Sequence, residues 1–95
     1  MRRSIVQSKK ECWFCGTVYG LHMHHIYPGR NRRVSDQHGF VVWLCAHHHN
    51  MSDSGVHFDK KKDLLLKREC QRVYETSHSR AEFLGLIGRN YLEDL

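Results

Sequence analysis

No segment of this chain approaches the roughly 18 consecutive apolar residues that a membrane-spanning helix requires, so no membrane partner is expected. The opening residues, MRRSIVQSKKE, are basic but hold no apolar core, and they do not read as a secretory signal. There is no internal repeat, no low-complexity tract and no composition break to mark a second domain. Acidic residues are in the minority: ten Asp and Glu against fifteen Lys and Arg, a formal net charge of +5. That excess suits a polyanionic partner without demanding one. Size is the last shortage. A chain of 95 residues buries a smaller share of its surface than a larger domain does, so a covalent or metal staple is expected.

What is abundant is metal-binding chemistry. Four cysteines and nine histidines are present, most of them between Cys12 and His57. With no secretory signal, a cytoplasmic location is expected, where thiols stay reduced and clustered cysteines more often bind metal than pair. Cys12-x-x-Cys15, followed far downstream by Cys45-x-x-His48, has the two-knuckle form of a structural zinc site. Each short spacer lets one turn present two ligands from the same side, and Gly16 permits the first turn to be tight. Three thiolates and an imidazole favour zinc over hard cations such as magnesium. A redox Cys-x-x-Cys is disfavoured, because no thioredoxin-like βαβ pattern surrounds it. Cys70 falls on an apolar helix side and is read as core.

The pattern of elements is α+β. Val18 to Ile26 has strand character, with Leu21, Met23 and Ile26 as its apolar positions, and Pro28-Gly29 ends it. Arg30 to Arg33 reads as an exposed basic loop, and Phe40 to Leu44 as the strongest strand. A short helix is expected from Cys45 to about Asp53, stopped by Ser54-Gly55. Asp59 can cap a helix reaching Glu75, with Leu65, Leu66, Cys70, Val73 and Tyr74 as its apolar side. Ser79-Arg-Ala-Glu82 is a capping-box pattern opening a last helix that carries Phe83, Leu84, Ile87 and Tyr91.

Zinc takes one histidine, yet His22, His24, His25, His47 and His49 remain in the same two segments. In a strand, His24 and His25 point to opposite faces, so only one of them can bind a given metal. A site that needs one ligand and one general base can use such a pair. Imidazole, with an ordinary pKa near about 6.5, suits the base. The alternative is a structural pair completing a second zinc or packing under the loop. His22 and His47 are read as surface residues with no chemistry assigned. His57 stays open between a residue at the start of a helix and a further metal or phosphate contact.

Cys12-x-x-Cys15, Leu21-His-Met-His24-His25-Ile26 and Trp43-Leu-Cys45-x-x-His48-His49 together resemble the signature of the HNH endonucleases, the ββα-metal or His-Me finger family. The match covers about residues 12–57. The helical tail ending in Gly88-Arg-Asn-Tyr-Leu92 resembles small phage-encoded HNH-like proteins more loosely. The resemblance implies a single domain over 1–95: a flexible basic N-terminus (1–10), a zinc-stapled ββα-metal core (11–57) and a tail of two helices (58–95). It implies that His24 is a catalytic-metal ligand, His25 the general base and His49 the second ligand, with Asp53 one helical turn later as a third. His48 stands where the family usually has cysteine. The family's middle asparagine, which hydrogen-bonds the loop backbone, should fall near Phe40; Asn31, Gln37 and His38 are the candidates to replace it.

The function implied is metal-dependent hydrolysis of DNA phosphodiesters, leaving 5′-phosphate and 3′-hydroxyl ends, with Mg²⁺, Mn²⁺ or Ni²⁺ as the catalytic ion beside a structural Zn²⁺. Arg30, Arg32 and Arg33 are the candidate phosphate contacts. So small a domain has few surfaces for reading bases, so either low intrinsic specificity or a targeting protein partner is expected. The competing reading is a zinc-stapled module that binds nucleic acid or protein, its remaining histidines inert.

Overall fold

The computed structural model describes residues 3–49, 55 and 59–92. Its centre is a two-stranded antiparallel sheet of β1 (Leu21–His25) and β2 (Val41–Cys45). The register pairs His22 with Leu44 and His24 with Val42, and directly paired residues share a sheet face. Val42 and Leu44 are fully buried, so the core-facing side of β1 is the one that carries His22 and His24, with His24 itself only 4% exposed. The expected apolar positions, Leu21 and Met23, lie on the other face and are half-buried. Val18 and Tyr19, expected in the strand, precede it and are exposed.

Between the strands the expected basic loop is instead helical. A 3₁₀ turn (Gly29–Asn31) leads into α1 (Arg32–His38). Helix α1 ends at Gly39, whose φ of 75° lies in the left-handed region that glycine enters without strain. A Cβ there would also run into the Arg3 carbonyl oxygen. The N-terminal segment lies against this part of the molecule: the Ile5 N–H donates to the Gly39 carbonyl (3.0 Å), and the Trp43 N–H donates to Gln7 Oε1 (2.9 Å).

β2 runs directly into α2 (Ala46–His49). The remainder of that expected helix, with Asp53, lies outside the described residues, as does His57.

The last third follows the sequence closely. Asp59 caps α3 (Lys60–Tyr74), its carboxylate accepting from the N–H groups of Lys61 and Lys62. Leu66, Cys70 and Tyr74, four residues apart, form the buried stripe. Leu65, one position off that stripe, is 51% exposed, against expectation. Helix α4 (Arg80–Ile87) opens on the full capping box: Ser79 Oγ accepts from the Glu82 N–H (3.1 Å) and Glu82 Oε1 accepts from the Ser79 N–H (3.0 Å). That Ser79 N–H, with smaller help from its hydroxyl, holds the Glu82 carboxyl below its ordinary range. Gly88 ends the helix, so Tyr91 lies beyond it, yet it still packs on the core.

One apolar cluster joins strands to helices. Ile26, Tyr27, Phe40, Val42 and Leu44 meet Leu66, Cys70, Tyr74, Phe83 and Ile87. Tyr27 ties the two parts by hydrogen bonding as well, its hydroxyl donating to the Lys67 carbonyl (2.6 Å). Burial raises the Cys70 thiol pKa to about 12, as befits a core cysteine. Buried Gln71 anchors the chain end: its Nε2 donates to Glu75 and Asn90, and its Oε1 accepts from the Tyr91 N–H (2.7 Å).

Among the described residues no helix is long and apolar enough to cross a membrane.

Candidate metal centre and histidine cluster

The first knuckle forms because Gly16, with φ at 77°, lets the chain reverse so that its N–H donates to the Cys12 carbonyl (2.8 Å). The second forms because α2 begins at the end of β2, putting Cys45 and His48 one helical turn apart. The two are brought together: Cys12, Cys15, Cys45 and His48 offer ligand atoms that all lie within 4.8 Å of one another. Cys45 Sγ is 3.3 Å from His48 Nδ1, Cys12 Sγ is 3.7 Å from that same nitrogen, and Cys15 Sγ is 3.8 Å from Cys45 Sγ. Donors on a tetrahedral zinc, at about 2.0–2.3 Å from the ion, stand about 3.3–3.8 Å apart. These four residues therefore lie where they could bind a structural metal such as zinc. All four cysteines of the chain are free thiols.

The electrostatics of the cluster pull in both directions. Burial alone would raise the Cys12 thiol, but backbone hydrogen bonds at Cys45, Cys15 and Phe14 outweigh it and lower the pKa. At Cys15 a backbone hydrogen bond from Thr17 lowers it, but desolvation and the neighbouring thiols of Cys12 and Cys45 win and raise it. Desolvation, with the charges of Lys62 and His47, lowers His48 and keeps its imidazole neutral, the form that donates a lone pair.

The remaining histidines separate by face. His22 and His24 share one side of β1, and His49 reaches them from α2. The His24 and His49 rings meet edge-on with centroids 5.4 Å apart, and His22 Nδ1 is 3.2 Å from His49 Nδ1. His47 is exposed, beside His48.

His25 points the other way, toward α1. Its Nε2 lies 3.3 Å from Asp36 Oδ1. An ionised carboxylate can only accept, so on that ground the ring proton is assigned to Nε2, leaving the Nδ1 lone pair unprotonated. His25 and Asp36 line an open groove of about 460 Å³ together with Gly29, Arg30, Arg32 and Arg33. All three arginines are exposed. Helical geometry, not a loop, sets their spacing.

Two residues at this site carry no signal in the sequence motifs. Asp36 is one. The other is Ser35, fully buried, whose hydroxyl accepts from the Tyr27 N–H (3.2 Å) and donates to the Tyr27 carbonyl (2.8 Å). It thereby clamps the chain two residues after His25. None of the three candidates for the missing asparagine makes that contact: Asn31 donates to the Ile87 carbonyl (3.0 Å), His38 stacks on Phe40, and Gln37 is exposed. The one signal for Ser35 and Asp36 is positional, since both fall in the segment joining the histidine-bearing strand to β2, but neither belongs to a spacing motif.

No family model, curated protein or solved structure matches this chain. The molecule is a small α+β fold with a Cys₃His cluster that could bind a metal.

Proposed function

We propose that this protein is a metal-dependent endonuclease of the HNH type, hydrolysing DNA phosphodiester bonds, with zinc in the Cys12–Cys15–Cys45–His48 cluster as its staple. The observation that carries the reading is the division of labour across β1. His24 turns to one side of β1, against His49, while His25 turns to a groove lined by three arginines. Phosphodiester hydrolysis needs a metal ligand and a base within reach of one phosphate, and adjacent residues at the end of β1 offer one of each.

Asp36 holds the His25 ring with Nδ1 available, so Nδ1 takes a proton from the attacking water. The water oxygen bonds to phosphorus, the P–O3′ bond breaks, and O3′ takes up a proton from solvent. Arg30, Arg32 and Arg33 hold the phosphates on either side by charge. A divalent ion held by His24 and His49, with Asp53 as a further donor, would supply positive charge to the phosphoryl and leaving oxygens. Ser35 does for the loop backbone what the family's asparagine does.

A second reading, a zinc-stapled binding module, draws support from Phe40, a fully buried aromatic at the position where the family has its polar asparagine. Nicking of supercoiled plasmid by purified protein decides between them. The nuclease cuts only with added divalent ion, and His25→Ala stops it. A protein that binds DNA but never cuts under any divalent ion is the module.

A further inference from the structure

We infer that the groove between the N-terminal segment and the outer face of the sheet binds one unpaired nucleotide of the DNA, beside the phosphate to be cut, with its base stacked on Trp43. The inference rests on the reading of His25 as general base and adds a substrate feature, a single-stranded nucleotide next to the cut. The groove holds about 240 Å³. Its apolar floor is Met23, Val41 and Trp43, which share one sheet face, Met23 pairing directly with Trp43. Its rim carries Arg3, Lys9 and Lys10, all exposed, and no acidic residue lines it. A π-surface under a cationic rim matches a nucleotide, base below and phosphate above. Register links this groove to the base. His25 lies on the same face, opposite Val41, so Trp43 is its diagonal neighbour, with Cα atoms roughly 7–8 Å apart.

The N-terminal segment is tied at two points, from the Ile5 N–H to the Gly39 carbonyl and from the Trp43 N–H to Gln7 Oε1, so the groove stands before a ligand arrives. Lys10 Nζ rests 4.5 Å from the centroid of the Trp43 ring and covers it. An exposed cation–π contact of this kind is worth about 2- to 5-fold in an equilibrium, and a base stacked on an aromatic ring about 5- to 140-fold. The base therefore displaces the ammonium, which is left beside the phosphate. A single base fits and a base pair does not, because 240 Å³ lies below the roughly 300–1,000 Å³ of ordinary ligand pockets. In a duplex, moreover, neighbouring pairs already cover both faces of each base. The ordinary role of Trp43 would be to seat the N-terminal segment, a role that needs apolar bulk but not an aromatic face.

The test is fluorescence anisotropy of the zinc-replete full-length chain with labelled oligo(dT) and with a blunt duplex, without added divalent ion so that nothing is cut. Wild type is compared with Trp43→Leu, which keeps apolar bulk, and Trp43→Phe, which keeps an aromatic face. Trp43→Leu should bind oligo(dT) about 5- to 140-fold more weakly and the blunt duplex as wild type does, while Trp43→Phe should recover most of the loss. The chain has two tryptophans, so Trp13→Phe leaves Trp43 as the only one, and oligo(dT) should quench its emission. That measurement decides the matter should Trp43→Leu fail to fold, and an unquenched Trp43 overturns the proposal. It is equally overturned if wild type does not bind oligo(dT), if Trp43→Leu binds it like wild type, or if oligo(dT) and the duplex lose affinity alike. Any of these results leaves the nuclease reading intact where plasmid is still nicked. Binding of oligo(dT) that depends on Trp43, in a chain that never nicks plasmid, would keep the base-stacking groove and remove the nuclease.

Discussion

Asp36 Oδ1 stands 3.3 Å from His25 Nε2, joining the helix between the strands to the last residue of β1. The contact links two segments eleven residues apart and sets which nitrogen of His25 meets the carboxylate. Asp36→Asn keeps the size but can present an amide N–H to Nε2, favouring the opposite tautomer. We expect cleavage to fall about 10- to 100-fold or more, in kcat rather than in KM, with the melting temperature nearly unchanged because Asp36 is half-exposed. Equal losses in kcat and in substrate affinity would mean that Asp36 shapes the groove instead.

The three histidines should fail in different ways. His25→Ala should lose about 10²–10⁴-fold in rate, the usual worth of a positioned base, while binding the second ion as wild type does. His24→Ala and His49→Ala should weaken ion binding, and excess Mn²⁺ should restore part of their activity. A Mn²⁺ titration of both binding and cleavage separates these outcomes. Loss of the ion by His25→Ala, with retention by His24→Ala, would show that the two residues have exchanged roles.

Removal of the staple should unfold the chain. Elemental analysis of dialysed protein should find one zinc per chain, and Cys45→Ser should lose both that zinc and the cooperative melt. A metal-free protein with an unchanged melting curve would dismiss the cluster as a staple.

Ser35→Ala deletes both hydrogen bonds to Tyr27 and leaves a buried backbone pair unsatisfied, at a cost of about 1–3 kcal/mol. Since the clamp lies two residues from His25, cleavage should drop more than stability alone predicts. Denaturant melts and cleavage at a temperature where both proteins are folded check this. Equal activity there would reduce Ser35 to a purely structural serine.

If Arg30, Arg32 and Arg33 track phosphates, replacing all three with glutamine should reduce the salt dependence of DNA binding by up to about three units of slope, roughly one for each arginine replaced. Fluorescence anisotropy on duplex DNA at several salt concentrations measures it, and an unaltered slope would return the arginines to ordinary solvated surface.

The parts of this molecule that are legible in the sequence are those fixed by short spacings. Cys12-x-x-Cys15 and Cys45-x-x-His48 each lie within one turn, so local geometry alone aims their ligands, and they do converge. Asp59 and Ser79 cap α3 and α4 as expected, because a cap depends only on the next three residues. The inter-strand segment resembles a loop in sequence because Arg30 to Arg33 has no apolar periodicity. Its helix is held instead by single anchors: buried Ser35 at one side and left-handed Gly39 at its end. The face of β1 is hidden for a related reason. Leu21 and Met23 look like the core side by hydropathy, but the face shared with Val42 and Leu44 is the one that carries His22 and His24, and His24 is turned inward. The approach of His22 to His49 and of His25 to Asp36 depends on that register and on where α2 starts, neither of which any local pattern encodes.

The adjacency of His48 and His49 on α2 has a consequence for measurement. One residue belongs to the four-donor cluster and its neighbour faces β1, so a single peptide unit would act as a lever between that cluster and the second ion proposed at His24 and His49. A chelator strong enough to strip the first would slacken the second, and occupancy of either would tighten the other. Dissociation constants determined one ion at a time, or with one site disabled by mutation, should therefore not add up to the affinity of the doubly loaded chain.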